Sequence, residues 1–442
     1  MSNQDIHPNK YSELRSICKY YIDSYNALYQ LKMEKEEELK SIYKIIKTEL
    51  IDSNKFPPQM IMKDILNIIP YNNRYTKSYL YLAKLISDDY KVTELGPIDF
   101  IPKFLFYKEY EIILGKFEKN TPENLEIHSE NTIYRAIMYN DLENFISFTE
   151  RDGFDKNKRL ACRLYPFSNT VYPFSKKGYS LLELCCYHGA VDCFKFLRTK
   201  FNSEITETCL EFSFLGGNQE IMSECLKHQK PNKECMRYAI ISHNIDFVTF
   251  LMNEYKINID LDQCRTYNNL DALLVYYDQT NDFNKCFVYS ASFCILPLCA
   301  YFISIGVNIN KNNEYGQTAL IIAAFYNNKE ITELLLSHGA NINEKDQNGD
   351  TALNYAALKN SRKEIVELLI SHGANINETN KSFQTALHCA ALKNSRKEIV
   401  ELLISHGANI NEIDQYGRTA LHIAAMNKNK ETVELLISHG AE

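Results

Sequence analysis

The side chains best suited to chemistry here are thiols and imidazoles, thirteen cysteines and eleven histidines. A zinc site needs cysteine or histidine pairs a few residues apart, so that one loop delivers two ligands to a tetrahedral ion. No Cys-x-x-Cys occurs; the closest spacings are Cys185-Cys186 and Cys294 with Cys299, and neither is a zinc pattern. Most cysteines between Cys162 and Cys299 fall on apolar helical stretches, where a free thiol serves as a small hydrophobe. His338, His372, His406 and His439 recur at regular spacing. Equivalent positions on stacked helices lie about 10 Å apart, too far to share one metal with bonds near 2 Å. The chemistry left to them is a pH-sensitive ladder. A phosphate-binding glycine loop, Gly-x-Ser-x-Gly, His-Glu-x-x-His and the kinase signatures are all missing. Gly216-Gly217 reads as a turn between two helices. A catalytic Cys–His pair needs no local motif, so an enzyme with an unrecognised site in 1–310 is kept as one alternative. The expectation is no enzyme, no cofactor and no metal.

These residues sit in a chain of 442 residues that is 45% hydrophobic and 24% charged, the composition of a folded soluble protein long enough for several compact units or one array. Only 15 glycines and 11 prolines disfavour an all-β fold with its many turns. The net charge of −7 lacks the basic excess that a phosphate backbone attracts, so nucleic acid is not expected as a partner. The opening MSNQDIHPNK has no apolar export core, and the most apolar stretch, 293–307, is too short to span a bilayer and contains Pro297. With thirteen cysteines this points to reduced thiols and a cytoplasmic location.

The elements that must position any site are set by a repeat. Ser-His-Gly-Ala begins at Ser337, Ser371, Ser405 and Ser438, and Thr-Ala-Leu at Thr318, Thr351, Thr385 and Thr419, so the period is 33 or 34. The segment LKNSRKEIVELLISHGANINE occurs twice unchanged, at 358–378 and 392–412. Paired alanines such as Ala356 and Ala357 suit close helix approach. Ile365, Val366, Leu368, Leu369 and Ile370 make one broad apolar face. Gly339, Gly373, Gly407 and Gly440 are placed to end helices in the left-handed conformation. Asn327 and Asn360 stand at the turn between paired helices, and Ser361 with Glu364, and Ser395 with Glu398, read as capping boxes. A single helix pair cannot bury such a face, so neighbours must stack.

This period, with Thr-x-Leu opening one helix and Leu-Leu-x-x-Gly-Ala closing another, resembles the ankyrin repeat. The best copies are TALHCAA at 385–391 and TALHIAA at 419–425, with alanine in place of the family's proline. The resemblance implies an all-α solenoid of helix pairs with short β-hairpins in the C-terminal repeats. It also implies that His388 and His422 hydrogen-bond within and between repeats. Upstream, YSLLELCCYHGAVDCFKFL at 179–197 follows the same pattern, and further second helices start near Glu220, Asp246, Asp271 and Leu296. Residues 131–148 read as one earlier pair, followed by a polar, aromatic loop at 152–177. Residues 1–125 read as long helices, about 11–50 broken once, then 59–69 and 74–88, with 32–40 a solvated helix face. The expected divisions are a helical domain at 1–125, degenerate ankyrin-like pairs at 126–310 and regular ankyrin repeats at 311–442. The combination looks like ankyrin families expanded in parasitic flagellate (trichomonad-like) protists, whose middle region is a domain of unknown function.

The resemblance implies a non-enzymatic, monomeric scaffold or adaptor that binds another protein on a concave surface of hairpin tips and first-helix ends. The alternative is a substrate-recognition or regulatory subunit of an enzyme such as a ubiquitin ligase or kinase. On the family's variable positions the recognition surface is Glu314, Tyr315, Gln317, Phe325 and Tyr326 in the first clean repeat, and Gln347, Asn348, Asp350, Leu358 and Lys359 in the second. The third gives Lys381, Ser382, Gln384, Leu392 and Lys393, and the fourth Gln415, Tyr416, Arg418, Met426 and Asn427, with the four Ser-His-Gly-Ala histidines beside them. Two irregularities are expected. Phe383 takes the place of a turn glycine, a strained position for phenylalanine. No polar capping repeat follows Gly440-Ala441, so 427–442 should fray.

Overall fold

The computed structural model describes residues 10–53, 56–96, 98–115, 129–166, 178–358, 363–392 and 397–442. The Asn360 turn and the Ser361 and Ser395 caps lie outside the described residues. The fold is all-α. Among the described residues the only strands are Arg159–Leu160 and Tyr179–Ser180, antiparallel with Arg159 opposite Ser180. The first strand lies inside the loop expected at 152–177 and the second just after it.

By its contacts the chain forms two compact units, 19–275 and 1–18 with 276–442. These boundaries follow packing, whereas 1–125, 126–310 and 311–442 follow changes in sequence character, so the helical block and most degenerate pairs share one unit.

In the 19–275 unit the leading helices are Lys19–Tyr29, Glu36–Ile45 continuing into a wider turn at Ile46–Asp52, Pro58–Ile68, Thr76–Tyr90 and Phe100–Tyr110. The charged run is therefore only partly helical: 31–35 is a connector, and the helix starts at Glu36 with three glutamates favourably placed at its positive end. Helix pairs follow at Ile133–Met138 with Leu142–Thr149, Leu181–His188 with Val191–Phe201, Glu207–Gly216 with Gln219–His228, and Lys233–Ile241 with Ile245–Tyr255. First helices pack on first helices of the next pair. The caps explain the boundaries. Asn218, Asn232 and Asn244 each accept a backbone N–H in the first turn, and Ser180 with Glu183 forms a full capping box. Gly217 is left-handed (φ +66°), and a Cβ on Gly216 would lie 2.1 Å from the Cys186 carbonyl oxygen. The two glycines thus serve a turn and a close approach between pairs. Polar contacts fasten the leading helices to the pairs: Asn73 Nδ2 donates to the Leu164 carbonyl (2.8 Å) and Tyr187 OH to the Pro70 carbonyl (2.8 Å).

In the other unit, helix Lys10–Ile17 contacts Leu296–Ser304. The regular pairs are Ala319–Phe325 with Lys329–Ser337, Ala352–Leu358 with Lys363–Ser371, Ala386–Ala391 with Lys397–Ser405, and Ala420–Met426 with Lys430–Ser438. The paired alanines at 323–324, 356–357 and 390–391 are fully buried. Each pair ends at a left-handed glycine, with φ between +82° and +90° at Gly339, Gly373, Gly407 and Gly440. Asn327 turns between paired helices at φ +57°.

Candidate protein-binding surface

The tips between pairs are built by one side chain in each repeat. Asn313, Asp346, Asn380 and Asp414 stand five residues before the repeat threonine, and each Oδ1 accepts two backbone N–H groups across its turn. Asp346 N–H donates to the Asp350 carbonyl (3.0 Å), and Asp414 N–H to that of Arg418 (2.9 Å). The expected β-hairpins are therefore turns closed by Asx side chains. A single bridge, Asn312 with Thr318, has strand-like pairing among the described tips. Each tip also bonds the next. The backbone N–H groups of Gln347, Lys381 and Gln415 donate to the carbonyls of Tyr315, Asn348 and Ser382, at 2.9, 2.8 and 2.9 Å.

A second ladder runs through the same connections, between the end of each second helix and the next tip. The motif Asn-Ile-Asn recurs at 308–310, 341–343, 375–377 and 409–411. Asn310 Oδ1 accepts from Asn341 N (2.7 Å), Asn343 from Asn375 (2.9 Å) and Asn377 from Asn409 (2.8 Å). Sequence reasoning missed this ladder; its signal was the asparagine pair repeating in phase.

The expected surface residues fall into three groups. Glu314, Tyr315, Gln347, Asn348, Lys381, Gln415, Tyr416, Met426 and Asn427 are exposed, Tyr416 at 70% and Met426 at 66%. Gln317, Phe325, Tyr326, Asp350, Leu358, Ser382, Gln384, Leu392 and Arg418 are half-buried and tied into the repeats. Lys359 and Lys393 lie outside the described residues. In the half-buried group, Arg418 grips Asp414 through Nε and Nη2 (2.9 and 2.7 Å) and lies over the Tyr416 ring. Burial pushes the Asp414 carboxyl up, but Arg418 and the turn N–H groups outweigh it and hold the group at about 2. Asn380 Nδ2 donates to Asp350 (2.8 Å) across repeats, and burial raises the Asp350 carboxyl. Gln347 Nε2 donates to the Glu314 carbonyl (2.6 Å). Phe325 packs edge-on against Tyr326 and Tyr355, and Tyr355 OH donates to Asp346 (2.7 Å). Tyr355 was missed in sequence, and with Phe325 it makes an aromatic seam across the first two repeats.

The histidines divide by role. Nδ1 of His388 accepts from the Thr385 amide (3.1 Å), and its Nε2 donates to the Arg418 carbonyl of the next repeat (3.1 Å). His422 accepts from Thr419 within its own repeat. Burial lowers the His388 pKa, keeping the ring neutral for this double role. Asn354 stands at the equivalent place in the second repeat. Its Oδ1 accepts from Thr351, but its buried Nδ2 has no partner among the described residues. His338, His372, His406 and His439 are exposed, and each Nδ1 donates to the leucine carbonyl four residues back, which makes them helix-end caps.

Eleven cysteines are buried, and Cys162 and Cys294 are half-buried. Burial raises the Cys185 thiol well above its ordinary value, so it is protonated and a poor nucleophile. Cys209 is lowered by a hydrogen bond from the Cys186 thiol but has no exposed surface. Among the described residues no group of three or more His, Cys, Asp or Glu is placed to hold a metal. Nor, among them, is any helix long and apolar enough to cross a membrane.

With this geometry in view, residues 287–380 and 361–442 match the family model for ankyrin repeats in three copies, and residues 201–276 match a domain of unknown function, DUF3447. No curated protein matches the chain. The C-terminal portion is a run of ankyrin repeats, whose general role is protein binding, within an all-α solenoid of helix pairs.

Proposed function

We propose that this protein is a non-enzymatic scaffold or adaptor, monomeric and cytoplasmic, which holds a protein partner on the tips and first-helix ends of residues 311–442. The observation that carries the reading is the set of exposed tip side chains, Tyr315, Lys381, Phe383 and Tyr416, with Met426 at a first-helix end, on a frame of Asx turns and tip-to-tip hydrogen bonds. Rigid tips spare the ordering cost of binding, and exposed aromatics are the usual anchors of protein interfaces. Glu314, Gln317, Phe325, Tyr326, Gln347, Asn348, Asp350, Leu358, Gln384 and Arg418 complete the proposed surface. In this reading the division into 1–125, 126–310 and 311–442 separates a helical domain and degenerate pairs from the binding repeats. The likeness to families of parasitic protists belongs to the same reading.

The test is a comparison of partners captured by wild type and by Tyr315→Ala/Tyr416→Ala, two exposed aromatics of the tips. Loss of the main partner by more than about 2 kcal/mol, with unchanged helicity, is the expected result. Equal capture moves the interface off the tips.

A further inference from the structure

In the 19–275 unit a cavity of about 240 Å³ opens between the leading helices and the connector after Leu261–Thr266. Its wall includes Tyr29, Asp64, Asn67, Tyr71, Asp99 and Tyr267. Among the described residues the charged side chains lining it are the two aspartates. Asp64 Oδ2 accepts from Tyr25 OH (2.7 Å), the carboxyl also bonds the Asn268 side chain, and no ion pair to it occurs among the described residues. Arg237 pairs with Glu234 (2.9 Å) and donates to two hydroxyls of the wall, those of Tyr267 (3.0 Å) and Tyr71 (3.4 Å). Tyr71 and Tyr267 are themselves joined through their hydroxyls at 3.0 Å.

A carboxylate in a recess with no ion-pair partner among the described residues is costly to hold, because burial removes more hydration than the charge of Lys63 returns. Burial accordingly raises the Asp64 carboxyl to about 6, against the pull of Tyr25, Lys63 and Asn268. The cavity offers what would offset that cost. Carboxylate and amide oxygens supply acceptors for a group with several N–H donors, and tyrosine rings favour both an alkyl stem and a positive charge. Its volume is below that of drug-sized pockets, which suits a single small group.

We propose that this cavity binds a primary alkylammonium group, with Asp64 as its counter-ion, Asp99 and Asn67 as further acceptors, and Tyr29, Tyr71 and Tyr267 around the stem. Two sources share this chemistry, a free small amine and a lysine side chain of a bound polypeptide.

The test is ligand-observed NMR titration of the full chain with n-butylammonium chloride, n-butanol and Nα-acetyl-lysine methylamide. Saturable binding of n-butylammonium, at least tenfold tighter than n-butanol, is expected. Asp64→Asn, an isosteric change, should weaken n-butylammonium at least tenfold while leaving n-butanol unaffected. Comparable binding of the lysine derivative supports the site and assigns it to polypeptide lysines; n-butylammonium binding alone supports it for free amines. No saturable binding, equal binding of alcohol and ammonium, or undiminished binding to a folded Asp64→Asn chain would overturn the proposal. The alcohol comparison uses wild type alone, so it decides the matter even if the variant does not fold.

Discussion

Phe383 offers the sharpest test of how the tips are built. Gly316, Gly349 and Gly417 occupy the same turn position in the other three repeats, at φ +76°, +79° and +69°, and Phe383 is forced to +56°. A side chain there costs about 1–2 kcal/mol in the left-handed region. At Gly316 and Gly349 a Cβ would approach the next tip's backbone to 2.7 and 2.9 Å. At Phe383 the Cβ is real, yet Gln415 N–H still reaches the Ser382 carbonyl at 2.9 Å. The fourth tip therefore clears a group that the earlier tips exclude. Phe383→Gly removes the strain but returns about 0.5–1 kcal/mol of freedom to the unfolded chain. The residue is 60% exposed, so the phenyl forfeits at most the modest burial of its remaining surface. These terms place the glycine variant level with wild type or slightly above it. Phe383→Ala isolates the strain, because it loses the same phenyl and keeps the unfavourable φ. Glycine should exceed alanine by about 1 kcal/mol. Native-state hydrogen exchange of the Ala386–Ala391 amides against urea would read both differences. Equal stability of glycine and alanine variants would refute the strain argument, and a loss above about 1 kcal/mol for glycine would show that the ring packs.

Three further outcomes are expected. Asn354→His should stabilise the second repeat by about 1 kcal/mol in urea unfolding, since its Nε2 would donate to the Gln384 carbonyl as His388 does to Arg418, and an unpartnered buried amide is removed. Asn343→Ala should cost about 1 kcal/mol and raise exchange at Asn375, because it deletes one rung of the asparagine ladder. Burial lowers buried His243 to about 4, with its Nε2 bonded to the Tyr267 carbonyl, so the unfolded state binds the extra proton and stability falls as pH drops from about 6.5 to 4. Asp64 works in the opposite sense, since its raised carboxyl gains stability on acidification from about 6 to 4. Asp64→Asn should therefore unmask a loss of roughly 3 kcal/mol between pH 7 and 4 in the exchange of Lys233–Ile241, corrected for intrinsic rates. A flat profile would mean that the imidazole keeps its proton between Asn26 and the Tyr267 carbonyl.

The repeat was legible because its physics is local and recurs. Thr-Ala-Leu caps and opens a helix, an apolar face of period 3.6 closes it, and a left-handed glycine ends it, with each signal inside one 33-residue window. The same locality revealed second helices at Glu220, Asp246, Asp271 and Leu296, which all start within two residues of the observed elements. Helix Phe100–Tyr110 escaped because its apolar residues surround it, leaving no amphipathic stripe to read. Tertiary structure alone decided what depends on residues far apart. The partition of the tip residues into exposed anchors and frame members such as Asp350 and Arg418 rests on hydrogen bonds across and within repeats. Neither could the spacing of Asp64, Tyr71 and Tyr267 show that they wall one cavity, for a carboxylate's surroundings are fixed by packing across some 200 residues of chain and leave no mark on its sequence neighbours.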